Sequence, residues 1–577
     1  MKKITFGTPE KYVPTKFCDN LNYTETDIKF DTAKIKYNQT ARGCKIEFNL
    51  DEDEQIYGFG LQLKGFNHKG KKLMLRVNSD PTVYTGDSHA PVPFFVSTKG
   101  YGMYFDTARY AEFFCGYNKK HRRNTEHSEN KMITNTRDLY ARGNTGSSAM
   151  SVLIPGAEGI DVYIFEGKNI LEIISQYNLF SGGGCSVPDW GLGVLYRAYT
   201  KYTGEEIKKL ADYFTDNDIP LDIIGLEPGW QTASYSCSYV WNNELYPDPD
   251  NVIKYLRSKG IHINLWEHAY VCESSPIYDK LYDFSSDYEV WNGLIPDFSI
   301  EDAKNIYADY HKKNFIDKGI DGFKLDECDS GDFVSHWGFP DTASFPSGMD
   351  GEQYHQLFGT LYMKTMLKAL GDNPTYSEVR SAGALCASYP FVLYSDLYDH
   401  NDFIRGVVNS GFAGILWSPE VRDAKTPKEF IRRLQTNVFS AQCLINGWYL
   451  ETLPWEELGI KEEAKELLKL RKALFPLLRK AFDDYKETGK PPIRALVADY
   501  TDDAQTYDIW DEYIFCDKLI VAPLTSESDT RKVYLPEGMW VNYFTKEPVE
   551  SGWFEVTTEN IPVYEKTQTV EKERIAK

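Results

Sequence analysis

No two of the ten cysteines stand in a CxxC pair; they lie scattered at positions 18, 44, 115, 185, 237, 272, 328, 386, 443 and 516. That spacing offers neither a zinc ribbon nor a disulfide framework, so reduced, mostly buried thiols are expected. Positive charge is also in short supply, with 64 Lys and Arg against 85 Asp and Glu, a net charge of −21. Phosphate binding needs clustered cations, so this balance argues against a nucleic-acid partner. No apolar run approaches the length of a membrane span, and the opening Met1–Glu10 lacks the apolar core of a signal peptide. A cytoplasmic protein without a membrane partner is the expectation. Neither GxGxxG nor GxxxxGK[ST] follows a predicted strand, so no nucleotide site, and no cofactor or metal, is expected.

What the chain does have is length and rings. Its 577 residues imply about three or four domains. Forty Tyr, thirty-two Phe and twelve Trp mostly serve core packing, but flat rings also stack on the apolar faces of sugars. The first third reads as β structure, with alternating segments such as Lys45–Leu50, Lys72–Val77 and Pro93–Ser97 between Gly, Asn, Asp and Pro turns. A β-sandwich over 1–185 follows, ending at the Gly182-Gly183-Gly184 joint. Strands then alternate with amphipathic helices: a helix opened by Thr203-Gly204-Glu205-Glu206, a strand at 221–226, a helix at 250–259, a strand at 261–268, a helix at 301–317 and a strand at 321–326. Repeated units of this length predict an α/β fold, a (β/α)8 TIM barrel over 186–487 that includes a helical exit from Glu456 to Lys480. A doubly wound sheet is the alternative. Residues 488–577 return to strands such as Leu519–Pro523 and Lys532–Pro536 and are read as a small C-terminal β domain.

Chemistry concentrates at Asp321-Gly-Phe-Lys-Leu-Asp-Glu-Cys-Asp329. Side chains alternate along a strand, so Phe323 and Leu325 face one way and Lys324 and Asp326 the other. Asp326 thereby falls at the C-terminal end of its strand, where a barrel opens onto its active site. An N-cap or a calcium loop is the plainer use of such a cluster. A second apolar run, Tyr389–Ser395, ends in Asp396, and Arg380-Ser381 follows Thr375–Val379. Two carboxyls on different strands suit a retaining glycosidase, which needs them about 5–5.5 Å apart as nucleophile and acid/base. Asp396 or Asp399 starting the next helix is the competing reading.

Taken with Tyr57-Gly-Phe-Gly60, Pro91-Val-Pro-Phe94, Ile219–Ile224, Tyr246-Pro-Asp-Pro249, Gly322–Asp326, Arg380-Ser381, Tyr389-Pro390, Pro454-Trp-Glu456 and Leu519–Pro523, the chain resembles glycoside hydrolase family 31 over nearly its whole length. The resemblance implies a retaining, exo-acting α-glycosidase with Asp326 as nucleophile and Asp396 as acid/base, acting on an oligosaccharide or small α-glycoside. For that work Asp396 should be protonated at rest and Asp326 ionised. Arg380, Glu227, Trp230, Trp266, Glu267, His268, Trp417, Glu420 and Asn446 are expected to line the sugar pocket from strand ends. Asp87 and His89 are expected to reach over the barrel mouth, as the corresponding loop does in the family.

Departures from the family pattern set the expected specificity. The W-x-D-x-D stretch is here Gly225-Leu-Glu-Pro-Gly-Trp230, so Gly229 replaces the carboxylate that accepts from the glucose 4- and 6-hydroxyls. R-x-H has become Leu444-Ile-Asn446, and W-x-G-D has become Leu393-Tyr-Ser-Asp396. Loss of the O4 acceptor, with Trp230 beside the gap, favours an axial O4 and hence α-galactosides over α-glucosides, with α-xylosides and N-acetylated sugars behind. Two other classes stay open: an inactive carbohydrate-binding protein, and a metal-dependent hydrolase using Asp326, Glu327, Asp329 and His336. Within the glycosidase reading, transglycosylation or lyase chemistry would share the same glycosyl-enzyme. A homo-oligomer is compatible with the sequence.

Overall fold

The structure, a computed structural model, describes residues 1–79, 81–118, 148–329, 337–396 and 398–567. At its centre eight strands form one sheet: β1 (Val194–Arg197), β2 (Ile223–Leu226), β3 (His262–His268), β4 (Gly322–Asp326), β5 (Ser377–Val379), β6 (Phe391–Leu393), β7 (Glu420–Val421) and β8 (Cys443–Asn446). Their order is β6-β5-β4-β3-β2-β1-β8-β7 with every neighbour parallel. Trp417 closes the ring, bridging to Leu393 just before β7; Leu393 N donates to Leu416 O and Ser418 N to Leu393 O, both at 2.9 Å. The predicted barrel is therefore present.

Local chemistry sets the helices around it. The helix α1 (Gly204–Asp216) starts at a capping box in which Thr203 and Glu206 satisfy each other's backbone N–H groups. It buries Ile207, Leu210, Ala211 and Phe214 against the barrel, the i, i+3, i+4, i+7 stripe of an amphipathic helix. The helices α2 (Pro249–Ser258), α3 (Glu301–Asn314), α4 (Gly351–Leu370), α5 (His400–Ser410) and α6 (Pro427–Val438) follow the other strands. The connection between β5 and β6, residues 380–390, holds no helix. It packs directly on α4, where a Cβ at Gly359 would lie 2.0 Å from Ser381 O. The exit is three helices rather than one: Pro454–Glu457, Lys461–Ala473 and Phe475–Thr488.

Before the barrel, two five-stranded antiparallel sheets stack as a sandwich around Ile46, Phe48, Phe59, Phe95, Phe105, Phe113 and Val152. After it, a six-stranded and a two-stranded sheet form the C-terminal β region. Among the described residues no helix is long and apolar enough to cross a membrane.

Candidate active site

Inside the barrel the side chains form layers. Arg197 donates to Glu227 Oε1 and Asn264 Oδ1 at 2.8 Å each and also pairs with Glu378. Lys324 Nζ lies 3.8 Å from Glu227 and 3.5 Å from Glu420, and Asn446 donates to Glu420 Oε2 at 3.0 Å. All of these side chains are buried. Burial disfavours the Lys324 charge, but Glu227 and Glu420 outweigh it and raise the ammonium pKa. Burial likewise pushes the Glu378 carboxyl up, against the pull of Arg197. Glu227, Glu420 and Asn446 therefore tie the strands together at the level of Arg197 and Lys324, inside the barrel.

Above them, at the C-terminal rim, Asp326 is held by two donors. Trp266 Nε1 reaches Oδ2 at 2.7 Å and the Glu327 N–H reaches Oδ1 at 2.8 Å. The second contact needs the chain to turn sharply after β4, and Glu327 does so with φ of +55°. Tyr270 OH pins the Glu327 carbonyl at 2.9 Å. Arg380, at the end of β5, donates to Asp329 at 2.8 Å and to Asp396 at 2.6 Å. Arg422 stands 3.6 Å from Asp396. His89 Nδ1 meets Asp329 at 2.7 Å, so the loop of the N-terminal sandwich does reach the barrel mouth. Asp87 in the same loop is taken up by Arg76 at 2.7 Å and Asn78 at 3.1 Å.

The charge states differ from the expectation in one respect. Burial opposes ionisation of Asp396, but Arg380, Lys324 and Arg422 together outweigh it and hold its carboxyl well below the usual carboxylate range. These cations favour the ionised form of Asp396, instead of the expected protonated acid. Burial and then the adjacent Asp326 push Glu327 well above its ordinary value, which favours its protonated form. For Asp329 burial is overcome by Arg380 and His89, which hold it below its ordinary value.

Five predicted residues separate by the side they face, those on β3 by strand parity. On β3, Asn264, Trp266 and His268 face the barrel interior while Glu267 faces out. Glu267 binds Tyr307 OH at 3.0 Å, His311 Nε2 at 3.0 Å and Tyr362 OH at 2.8 Å, on α3 and α4, and lines no pocket. His268 accepts from Tyr270 N at 3.2 Å, and burial pushes its pKa down to about 4, leaving the ring neutral. Trp230 does not face a sugar: it is 0 % exposed, donates to Trp266 O at 2.7 Å and packs between Trp241 and Phe315. Trp417 also points outward, onto Phe403 and Gly406 of α5.

Gly229 likewise opens no space for an axial hydroxyl. A Cβ there would meet Thr200 O at 1.9 Å, and Gly229 N donates to Thr200 Oγ1 at 3.0 Å. The missing side chain is explained by that close backbone approach, not by a vacated sugar contact. Of the metal-ligand alternative, His336 lies outside the described residues, and among the described residues no three His, Cys, Asp or Glu converge as a metal site.

Sequence reasoning missed Arg422, which arrives 26 positions after Asp396 and also donates to its carbonyl at 2.9 Å. It also missed Tyr235, Trp291 and Trp337, three rings in consecutive loops after β2, β3 and β4. The signal available was an aromatic in each loop following a predicted barrel strand, which is weak among forty tyrosines and twelve tryptophans.

Residues 185–481 match the Glycosyl hydrolases family 31 TIM-barrel domain, residues 489–570 the family 31 C-terminal domain, and residues 15–113 its N-terminal galactose mutarotase-like domain. An α-xylosidase of Emericella nidulans is 23% identical over 535 residues, covering 86% of this chain and 64% of that protein. An α-glucosidase 2 of Bacillus thermoamyloliquefaciens is 25% identical, covering 89% and 67%. The chain thus spans about two thirds of the length of these relatives. A family 31 α-xylosidase from a soil metagenome, solved with xylose, shares the fold with a TM-score of 0.76 at 21% identity, covering 93% of this chain and 81% of that one. With the barrel and both flanking domains matched in order, the chain belongs to glycoside hydrolase family 31.

Proposed function

We propose that the chain is a retaining, exo-acting α-glycoside hydrolase that removes a terminal α-linked sugar with an equatorial O4, xylose or glucose. The observation that carries this is the orientation of Asp326 at the mouth of β4, with one oxygen on Trp266 Nε1 and the other on the Glu327 N–H. Two such donors fix the carboxylate in place, so no reorientation is needed when it attacks the anomeric carbon.

The chemistry follows in two displacements. Asp326 forms a bond to the anomeric carbon as the glycosidic bond breaks and a proton passes to the leaving oxygen; water then attacks the glycosyl-enzyme and restores Asp326. Asp396 is the acid/base by position, on the rim just past β6, two strands along the barrel from β4. Arg380 favours its ionised form, so it must receive a proton before it can act as the acid, and Glu327, whose carboxyl is pushed up by burial and by Asp326, is the second candidate donor.

The choice of sugar rests on two supports. Gly229 leaves no room that an axial O4 would use, which removes the ground for preferring α-galactosides. The relatives carry the names α-xylosidase and α-glucosidase. Nitrophenyl α-xyloside, α-glucoside and α-galactoside, compared by kcat/KM, test the reading. One of the first two should exceed the galactoside by about tenfold, or 1.4 kcal/mol in transition-state binding; a galactoside lead would overturn it.

A further inference from the structure

Three consecutive loops on the C-terminal face of the barrel each contribute one aromatic ring to a single connected wall. Tyr235 comes from the loop after β2, Trp291 from the loop after β3 and Trp337 from the loop after β4. The wall begins at the candidate nucleophile. Trp266, whose indole N–H binds Asp326, has its ring centroid 5.5 Å from that of Tyr235. Tyr235 meets Trp291 at 4.9 Å with the planes at 82°, and Trp291 meets Trp337 at 5.4 Å with the planes at 68°. A tilted contact at the first step, with the planes at 53°, and edge-to-face contact at the next two fix the rings against one another.

The wall is buried where it meets the site and open at two of its three loop rings. Trp266 is buried, Trp291 is half-buried, and Tyr235 and Trp337 are 53 % and 50 % exposed. Exposed aromatics of this size in contact with one another mark a surface meant to be covered.

The backbone under the middle ring supports the same conclusion. Trp291 and Asn292, with φ of +51° and +55°, form the tip of the hairpin that joins strands Ser285–Val290 and Gly293–Pro296. Both central residues of such a turn sit in the left-handed region, where Asn-Gly is preferred and a bulky side chain is disfavoured. A tryptophan held there at a cost in strain indicates that the ring serves something other than the turn.

We propose that Tyr235, Trp291 and Trp337 form the subsite for the leaving group, seating a flat ring face, either a pyranose or an aryl ring, next to the scissile bond. This rests on the proposed glycosidase activity. A ring stacked here is positioned by its C–H or π face, so the leaving group is selected for shape rather than for particular hydroxyls.

The test compares the wild type with Trp337→Ala and Tyr235→Ala, both changes at half-exposed positions, on three substrates of the preferred sugar: the α-glycosyl fluoride, the phenyl α-glycoside and an α-linked disaccharide. The fluoride has no ring to seat. The expected result is a loss of kcat/KM at least about fivefold larger for one or both ring-bearing substrates than for the fluoride, with Trp337→Phe restoring part of it. A loss confined to the phenyl glycoside identifies an aryl leaving group, and one that extends to the disaccharide identifies a sugar. Equal losses on all three substrates, or none, overturn the proposal. Binding reads the wall without turnover: phenyl α-glucoside and phenyl α-xyloside are titrated into Asp326→Asn protein by tryptophan fluorescence, with and without Tyr235→Ala. A Kd raised at least about fivefold supports the subsite even where no α-glycoside is hydrolysed, and an unchanged Kd overturns it.

Discussion

Lys324 and Asp326 are two residues apart on the same face of β4, yet their surroundings are opposite. Around Lys324 the barrel interior is closed: Arg197, Glu227, Glu378, Glu420, Asn264 and Asn446 bind one another, and all are buried. Around Asp326 four carboxyls crowd the rim, and their proton affinities are driven apart, with Glu327 up and Asp396 and Asp329 down. The deeper layer holds strands in register, and the upper one is poised for proton transfer. The same residue types serve both layers, and solvent access with the placement of arginines separates the two roles.

The largest expected effect comes from the upper layer. Asp326→Asn should lower kcat by on the order of 10⁴-fold or more, because the covalent route is lost, while the near-UV circular dichroism stays as in the wild type. An active Asp326→Asn protein would place the nucleophile elsewhere.

In the deeper layer the readout is stability. Arg197→Met leaves Glu227 and Glu378 buried without their principal cation and should destabilise the protein by roughly 3–5 kcal/mol in urea unfolding. A loss under 1 kcal/mol would mean that the layer is not the closed network its contacts describe.

Between these lies the question of which rim carboxyl gives up the proton. Asp396→Ala should slow poor leaving groups by roughly 10²-fold or more and dinitrophenyl glycosides far less, with azide restoring part of the latter. If Glu327→Gln shows that pattern and Asp396→Ala does not, the acid role moves to Glu327.

The smallest effect is a pH dependence. His268 has a folded pKa of about 4, depressed by burial from an unfolded value near 6.5. A depressed histidine favours the folded state above the unfolded pKa, and that stability is lost as pH falls through the folded pKa. Relative to His268→Phe, the wild type should lose about 1 kcal/mol of unfolding free energy between pH 6.5 and 5.5. A difference that does not change over that interval would show the ring to be charged in the folded protein.

Much of this architecture was legible in the chain itself. Alternating strands and capped helices specify an α/β fold, because periodicity and caps are local properties, while closure of the sheet into a barrel is seen in the Leu393–Trp417 bridge. The position of Asp326 at a strand end follows from the same local rule. Parity alone even rules out Glu267 as a pocket residue if Trp266 and His268 are both inside, since neighbours on a strand face opposite ways. What the sequence could not determine depends on distant parts of the chain. Gly229 is explained by Thr200, 29 residues earlier, and the charge of Asp396 by Arg380 and Arg422 on other strands or loops. Trp230 and Trp417 are core and Tyr235 and Trp337 are surface, although all four follow barrel strands or bridge to one. Composition and local pattern decide which elements form. Steric room and proton affinity come from whatever the tertiary fold brings within a few ångströms, and so they were decided only by the structure.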